Sequence, residues 1–148
     1  MEDTNTSRLL ISAPQKSAGK TTVSLGILHN LQQEGVKVQS FKKGPDYIDP
    51  MWLKLASGTE CHNLDPYLLG AEGCLDSFGR NSTESSMALI EGNHGLHDGM
   101  SLDGFDSSAG LANMLQSPVL LGINSRGMGR GAAAGVTGMQ KVQPEANI

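Results

Sequence analysis

The run Pro14-Gln15-Lys16-Ser17-Ala18-Gly19-Lys20-Thr21-Thr22 constrains this chain more than any other stretch. It separates a short apolar segment, residues 8–13 (RLLISA), from one that carries Val23, Ile27, Leu28 and Leu31 at helical spacing. A strand that enters a helix through Gly-Lys-Thr offers what a phosphate group needs: converging backbone N–H groups, the positive end of a helix and a cation. Gly19 allows close backbone approach, Lys20 has the reach for β- and γ-phosphates, and the Thr21 hydroxyl suits Mg2+. Lys16, Ser17, Ala18 and Thr22 complete the loop expected to hold the nucleotide. The full motif has Gly where this chain has Pro14, and often another near Ser17, where a positive φ would be strained.

The remaining chain keeps alternating between strand-like and helix-like segments. Gly35 falls where a helix C-cap glycine belongs, and residues 36–41 (VKVQSF) alternate like a strand. The first forty residues therefore read as a right-handed βαβ unit with parallel strands. Residues 42–50 (KKGPDYIDP) read as a break, through Gly44, Pro45 and Pro50. Residues 51–56 read as a short helix, 63–70 as irregular or a short strand, and 71–78 as a weak helix. A buried strand at 86–90 (SMALI) runs into the glycine-rich segment 91–99. A helix follows at 107–116 with Ser107 near its N-cap, then a core strand at 118–123 (PVLLGI). The last helix, 130–140, is weakened by Gly131, Gly135 and Gly138.

This pattern predicts an α/β domain of the P-loop NTPase type, with a mainly parallel sheet flanked by helices. Loops that follow strands should gather at the carboxyl edge of that sheet, where ligands bind. The 148 residues suffice for one domain, and 38% hydrophobic content supplies one core. We expect that domain at residues 8–148, preceded by a polar end, residues 1–7, that frays in solvent. A net charge of −4 offers no basic face for nucleic acid, and no stretch is apolar and long enough to span a membrane. Cys61 and Cys74 lack metal-type spacing and read as buried, reduced thiols of a cytoplasmic protein.

Four acids sit on loops expected beside the phosphate loop: Asp46 and Asp49 after the second strand, Glu91 and Asp98 after the SMALI strand. They would repel a triphosphate unless a divalent cation intervened. Thr21, Asp46 and Glu91 are assigned to Mg2+, leaving Asp49 and Asp98 to position an acceptor and manage protons. The competing reading is that such acids cap turns. Strand alternation puts Phe41 inward and Lys42 at the rim, in reach of a γ-phosphate; Lys43 reads equally well as a surface lysine. Tyr47 and Trp52 read as packing residues. His94 and His97 lack a third metal ligand nearby. Arg126 and Arg130 read either as an anion receptor or as a solvated face.

The segments SAPQKSAGKTT, FKKGPDYIDP, NLDPYLL, ALIEGNHGLHDG and NSRGMGRGAAA together resemble the cobyrinic acid a,c-diamide synthase family, in order from Leu9 onward. The resemblance is to its ATP-binding domain, similar in fold to dethiobiotin synthetase. It implies ATP and Mg2+ as co-substrate and cofactor, and a tetrapyrrole polycarboxylate as acceptor. It also implies an acyl phosphate intermediate, with ammonia from glutamine supplied by a glutaminase domain or subunit. Lys20 and Thr21 match the family's phosphate and metal residues; Asp46, Asp49, Glu91 and Asp98 match its acids. The chain departs at His97, where the family has Tyr, and at Asn124, where it has Asp. It stops where the family enters another core strand, so an incomplete C-terminal part is expected. Two alternatives stay open: an impaired P-loop binding or regulatory module, and a partitioning-type ATPase forming an ATP-dependent homodimer.

Overall fold

The computed structural model describes residues 6–148. Residues 1–5 of the expected fraying end lie outside the described residues. Thr6 and Ser7 belong to the fold instead: Thr6 Oγ1 donates to the Ser82 carbonyl at 3.3 Å, and Ser7 opens the first strand. The elements follow as β1 (Ser7–Ser12), α1 (Lys20–Gln33), β2 (Val38–Lys43), α2 (Asp49–Ser57) and β3 (His62–Leu64). Then come α3 (Pro66–Ser82), β4 (Met87–Glu91), α4 (Ser108–Met114), β5 (Val119–Leu121) and α5 (Gly131–Val142). The strands form one parallel sheet in the order β3-β2-β4-β1-β5. The P-loop-type α/β architecture expected from the sequence is what the chain adopts.

Strand alternation divides the core between the two faces of this sheet. On one face Leu10, Phe41, Ala88 and Ile90 pack with Cys74 and Phe78 of α3 and Leu111 of α4. The tilted rings of Phe41 and Phe78 have centroids 5.1 Å apart. On the other face Ile11, Val38 and Leu89 pack with Leu28 of α1 and Leu53 of α2. Val23 is half-exposed and Ser24 takes the inward position, so the buried stripe of α1 is narrower than its apolar spacing predicts.

Local signals explain most element ends. The chain leaves α1 through Gly35, φ +77, with the Val36 N–H bonded to the Leu31 carbonyl. Ser107 caps α4 by accepting the Gly110 N–H. Asp65 caps α3 by accepting the Tyr67 N–H, with Pro66 in the first turn. Four expectations need correction. β2 runs on through Lys42 and Lys43, which pair with Asn63 and Leu64 of β3, and ends at Gly44. Pro50 opens α2 rather than breaking the chain, since a first-turn proline has no N–H to lose. α3 is longer than the expected 71–78, with a kink at Gly70 (φ 68°, ψ 178°). β5 is a three-residue edge strand, not a core strand, and Leu120 is exposed.

α4 packs tightly because it contains Gly110, where a Cβ would lie 2.1 Å from the Phe105 carbonyl oxygen and 2.7 Å from that of Gly104. Backbone cannot yield as a side-chain tip can. Gly110→Ala should therefore lower stability by about 3 kcal/mol in urea unfolding. Gly26→Ala, with nothing within 4 Å of its added Cβ, should raise it by about 0.5 kcal/mol through helix propensity.

Candidate functional site

Parallel pairing brings the loops after β1, β2 and β4 to one edge of the sheet. The first loop carries positive φ at Ser17 (54°) and Gly19 (90°), the kind of alternating backbone from which anion-binding nests are built. Ser17 thus takes the left-handed conformation despite its side chain. α1 begins directly at Lys20 with no side-chain cap, which leaves its first N–H groups for a ligand. Gly95 of the β4–α4 loop closes on this turn: a Cβ there would lie 2.5 Å from the Pro14 carbonyl oxygen. Pro14, the departure from the full motif, therefore faces a residue that only Gly satisfies.

Lys20 Nζ donates to the Gln15 carbonyl at 3.1 Å and to the His94 carbonyl at 2.7 Å, tying the two loops together. Burial pulls its ammonium below the ordinary lysine value, and the charge on Lys42 adds to this against Glu91, Asp49 and Asp98. Glu91, at the end of the central strand, is fully buried. Its Oε1 accepts from Thr21 Oγ1 at 2.6 Å and from Lys42 Nζ at 2.9 Å. Its Oε2 has no hydrogen-bond partner among the described residues. Lys42 also reaches Asp49 Oδ2 at 2.8 Å and the Gly92 carbonyl at 3.3 Å. Burial acts against its charge, but Glu91 and the hydrogen bonds to Asp49 and Glu91 prevail and hold this ammonium above the ordinary value. Lys16, Ser17, Lys20, Thr21, Asp49 and Glu91 share one cavity of about 440 Å³, together with Lys42.

The structure sorts the expected site residues. Lys42 is 2% exposed and does not stand at a rim, because β2 continues past it. Asp46 does not join Thr21 and Glu91: its Oδ1 accepts the N–H groups of Ile48 (2.9 Å) and Asp49 (3.1 Å) at the start of α2. The turn-capping alternative describes it. Asp49, not Asp46, lines the cavity. Tyr47 and Trp52 are exposed rather than packed. Arg126 and Arg130 are exposed and line neither cavity described here. His97 Nε2 contacts the Met139 carbonyl at 2.8 Å and Nδ1 the Gln143 Oε1 at 3.3 Å, so it anchors α5. Among the described residues no group of three or more His, Cys, Asp or Glu is arranged to hold a metal by itself. Burial pushes both thiols up to about 11. No helix of the described residues is long and apolar enough to cross a membrane.

A second cavity, about 560 Å³, adjoins the first and shares Asn93 and His94 with it. Pro45, Tyr67, Leu68 and Met100 give it an apolar rim, and Lys43, Asp65, Asp98 and Asp106 give it charge. Asp106 accepts the N–H groups of Met100 (2.7 Å) and Ser101 (2.9 Å). Burial alone would raise its carboxyl; these backbone bonds win and hold it below the usual range. Burial lowers the Lys43 ammonium against the pull of Asp106 and Asp65. Sequence reading missed Asn93, His94 as a wall of two cavities, and Asp106. The dense GNHGLHDG segment was the available signal for the first two.

A parallel sheet whose first strand enters a helix through a left-handed Gly-Lys-Thr turn defines an α/β domain of the P-loop NTPase class. No protein-family model matches the chain. The Cobyrinate a,c-diamide synthase of Magnetococcus marinus is 49% identical over 131 residues, covering 88% of this chain and 28% of that protein. That of Syntrophotalea carbinolica is 40% identical over 142 residues (95% and 31%), and that of Dehalococcoides mccartyi 41% over 145 (97% and 31%). The chain belongs by sequence to the cobyrinate a,c-diamide synthase family, and it spans 28–31% of the length of these relatives.

The Lys42–Glu91 pair generates a stability prediction. Lys42→Met strands a buried carboxylate and should cost about 3 kcal/mol. Lys42→Met with Glu91→Gln should recover part of that loss, read as urea midpoints of the two variants. Equal stability of the single variant and the wild type would mean that the buried Glu91 does not depend on Lys42.

Proposed function

We propose that this chain is the ATP-dependent portion of a cobyrinate a,c-diamide synthase, activating a tetrapyrrole side-chain carboxylate that ammonia then converts to an amide. The observation that carries this reading is the meeting of Thr21, Lys42 and the buried Glu91 in one cavity with the anion-binding turn. A carboxylate is a poor electrophile. Attack of one of its oxygens on the γ-phosphorus of ATP forms an acyl phosphate as the bond to ADP breaks; ammonia then forms the C–N bond as phosphate leaves. Phosphoryl transfer asks mainly for positioning and charge neutralisation, and the cavity is organised for both.

The turn at residues 17–21 would hold the phosphates through its N–H groups and the α1 N-terminus. Lys20 would exchange its two carbonyl contacts for phosphate oxygens, and Lys42 would face the transferred group. The oxygen set fits Mg2+, a hard cation that takes a hydroxyl, one or two carboxylates and phosphate oxygens. Thr21 Oγ1 and Glu91, whose Oε2 is buried and unpartnered, would hold it, with Asp49 beside them in place of Asp46. Bound there, Mg2+ supplies charge neutralisation across the phosphates. The second cavity, reached past Asn93 and His94, is the place for the acceptor, with Asp98 on its wall. Ammonia would come from glutamine through a glutaminase domain or subunit.

Isothermal titration tests this reading. The wild type should bind ATP in the presence of Mg2+, and Lys20→Ala should lose about 100-fold in affinity. Thr21→Ala should lose the Mg2+ dependence, whereas Asp46→Asn should leave affinity within about 3-fold. Indistinguishable affinities for wild type and Lys20→Ala would remove the phosphate site from this loop.

A further inference from the structure

Lys42 and Lys43 are neighbours on one strand, and successive strand side chains point to opposite faces of a sheet. Lys42 shares its face with Glu91, its register partner, and enters the phosphate cavity. Lys43 shares its face with Phe41 and lines the second cavity between α3 and the β4–α4 loop. It is 6% exposed. Among the described residues its ammonium has no hydrogen-bond partner and no carboxylate oxygen within 4.0 Å. Its stem is packed away from solvent while its ammonium end opens on the cavity, so a carboxylate entering the cavity can pair with it directly.

The surrounding acids narrow what that anion is. Asp65 is held by the Tyr67 N–H at 3.0 Å, Asp98 by the Gly95 N–H at 2.9 Å, and Asp106 by two N–H groups. These three charges oppose a compact multiply charged anion such as phosphate. A single carboxylate meets less of that opposition than a multiply charged anion, and it can pair with Lys43 while the body of its carrier rests on the apolar rim of Pro45, Tyr67, Leu68 and Met100.

We propose that Lys43 is the acceptor-recognition residue: its ammonium pairs with a single carboxylate arm of a large, partly apolar acceptor in the second cavity, at the wall shared with the phosphate cavity. This rests on the acceptor reading given above. The pairing offsets the repulsion between an anionic carboxylate and an anionic phosphate as the carboxylate oxygen bonds to phosphorus and the bond to ADP breaks.

Equilibrium binding of cobyrinate to the full chain, followed by isothermal titration calorimetry, tests the proposal. Lys43→Met should weaken cobyrinate roughly ten-fold or more, while Lys43→Arg stays within about 3-fold of wild type. Cobyrinate with all carboxylates esterified should bind wild type and Lys43→Met alike. ATP affinity should be the same in Lys43→Met and wild type, which also reports that the variant is folded. Equal cobyrinate affinity in wild type and Lys43→Met, or no cobyrinate binding by wild type that still binds ATP, overturns the proposal and leaves the nucleotide reading standing. Loss of Lys20-dependent ATP binding in the wild type would be the separate failure of that reading.

Discussion

Glu91 ends the central strand with a side chain removed from water, and the surrounding architecture supplies what makes that tolerable. A buried carboxylate needs a counter-charge and hydrogen-bond donors. Lys42 arrives from the strand on one side, in register with Glu91. Thr21 arrives from the first turn of α1, which the strand on the other side delivers. The contact therefore exists only if β4 is inserted between β1 and β2, which is the strand order observed. One ionic cluster thus records the topology of the sheet and fixes three loops relative to one another.

The same sheet distributes chemistry between its faces. The α1/α2 face ends in the cluster around Glu91 and the anion-binding turn. The α3/α4 face ends in a broader, more apolar cavity with Lys43 inside it. Asn93 and His94 form the common wall, and His94 is held in a left-handed conformation (φ 53°), with its N–H on the Asn93 side-chain oxygen at 2.9 Å. The proposed reaction, between two anions kept apart until they are positioned, would use these two compartments and their common wall.

Much of this was legible in the sequence. The strand-to-helix turn at Gly19 and Lys20, the βαβ order, the Ser107 cap and the placement of Glu91 at a strand end follow from local patterns with a direct physical meaning. The role of Asp46 was not legible, because an Asp two or three residues before a helix serves a cap and a ligand equally well. Only the hydrogen bonds to Ile48 and Asp49 decide between them. The burial of both lysines was hidden by their charge: alternation put Lys42 at the rim and left Lys43 as readily on the surface, and nothing local told that β2 continues under the neighbouring loops. His97 gave no sign that it holds α5, since its partners lie 42 and 46 residues away. Long-range pairing of this kind has no local signature.

A crystal structure of the chain with Mg2+ and a non-hydrolysable ATP analogue bears most directly on the central claim. The account predicts the triphosphate in the turn at residues 17–21, with the ion against Thr21 and Glu91 and Asp46 still on its helix cap. A triphosphate bound away from this turn, or an ion held by Asp46 with Glu91 uninvolved, would contradict it.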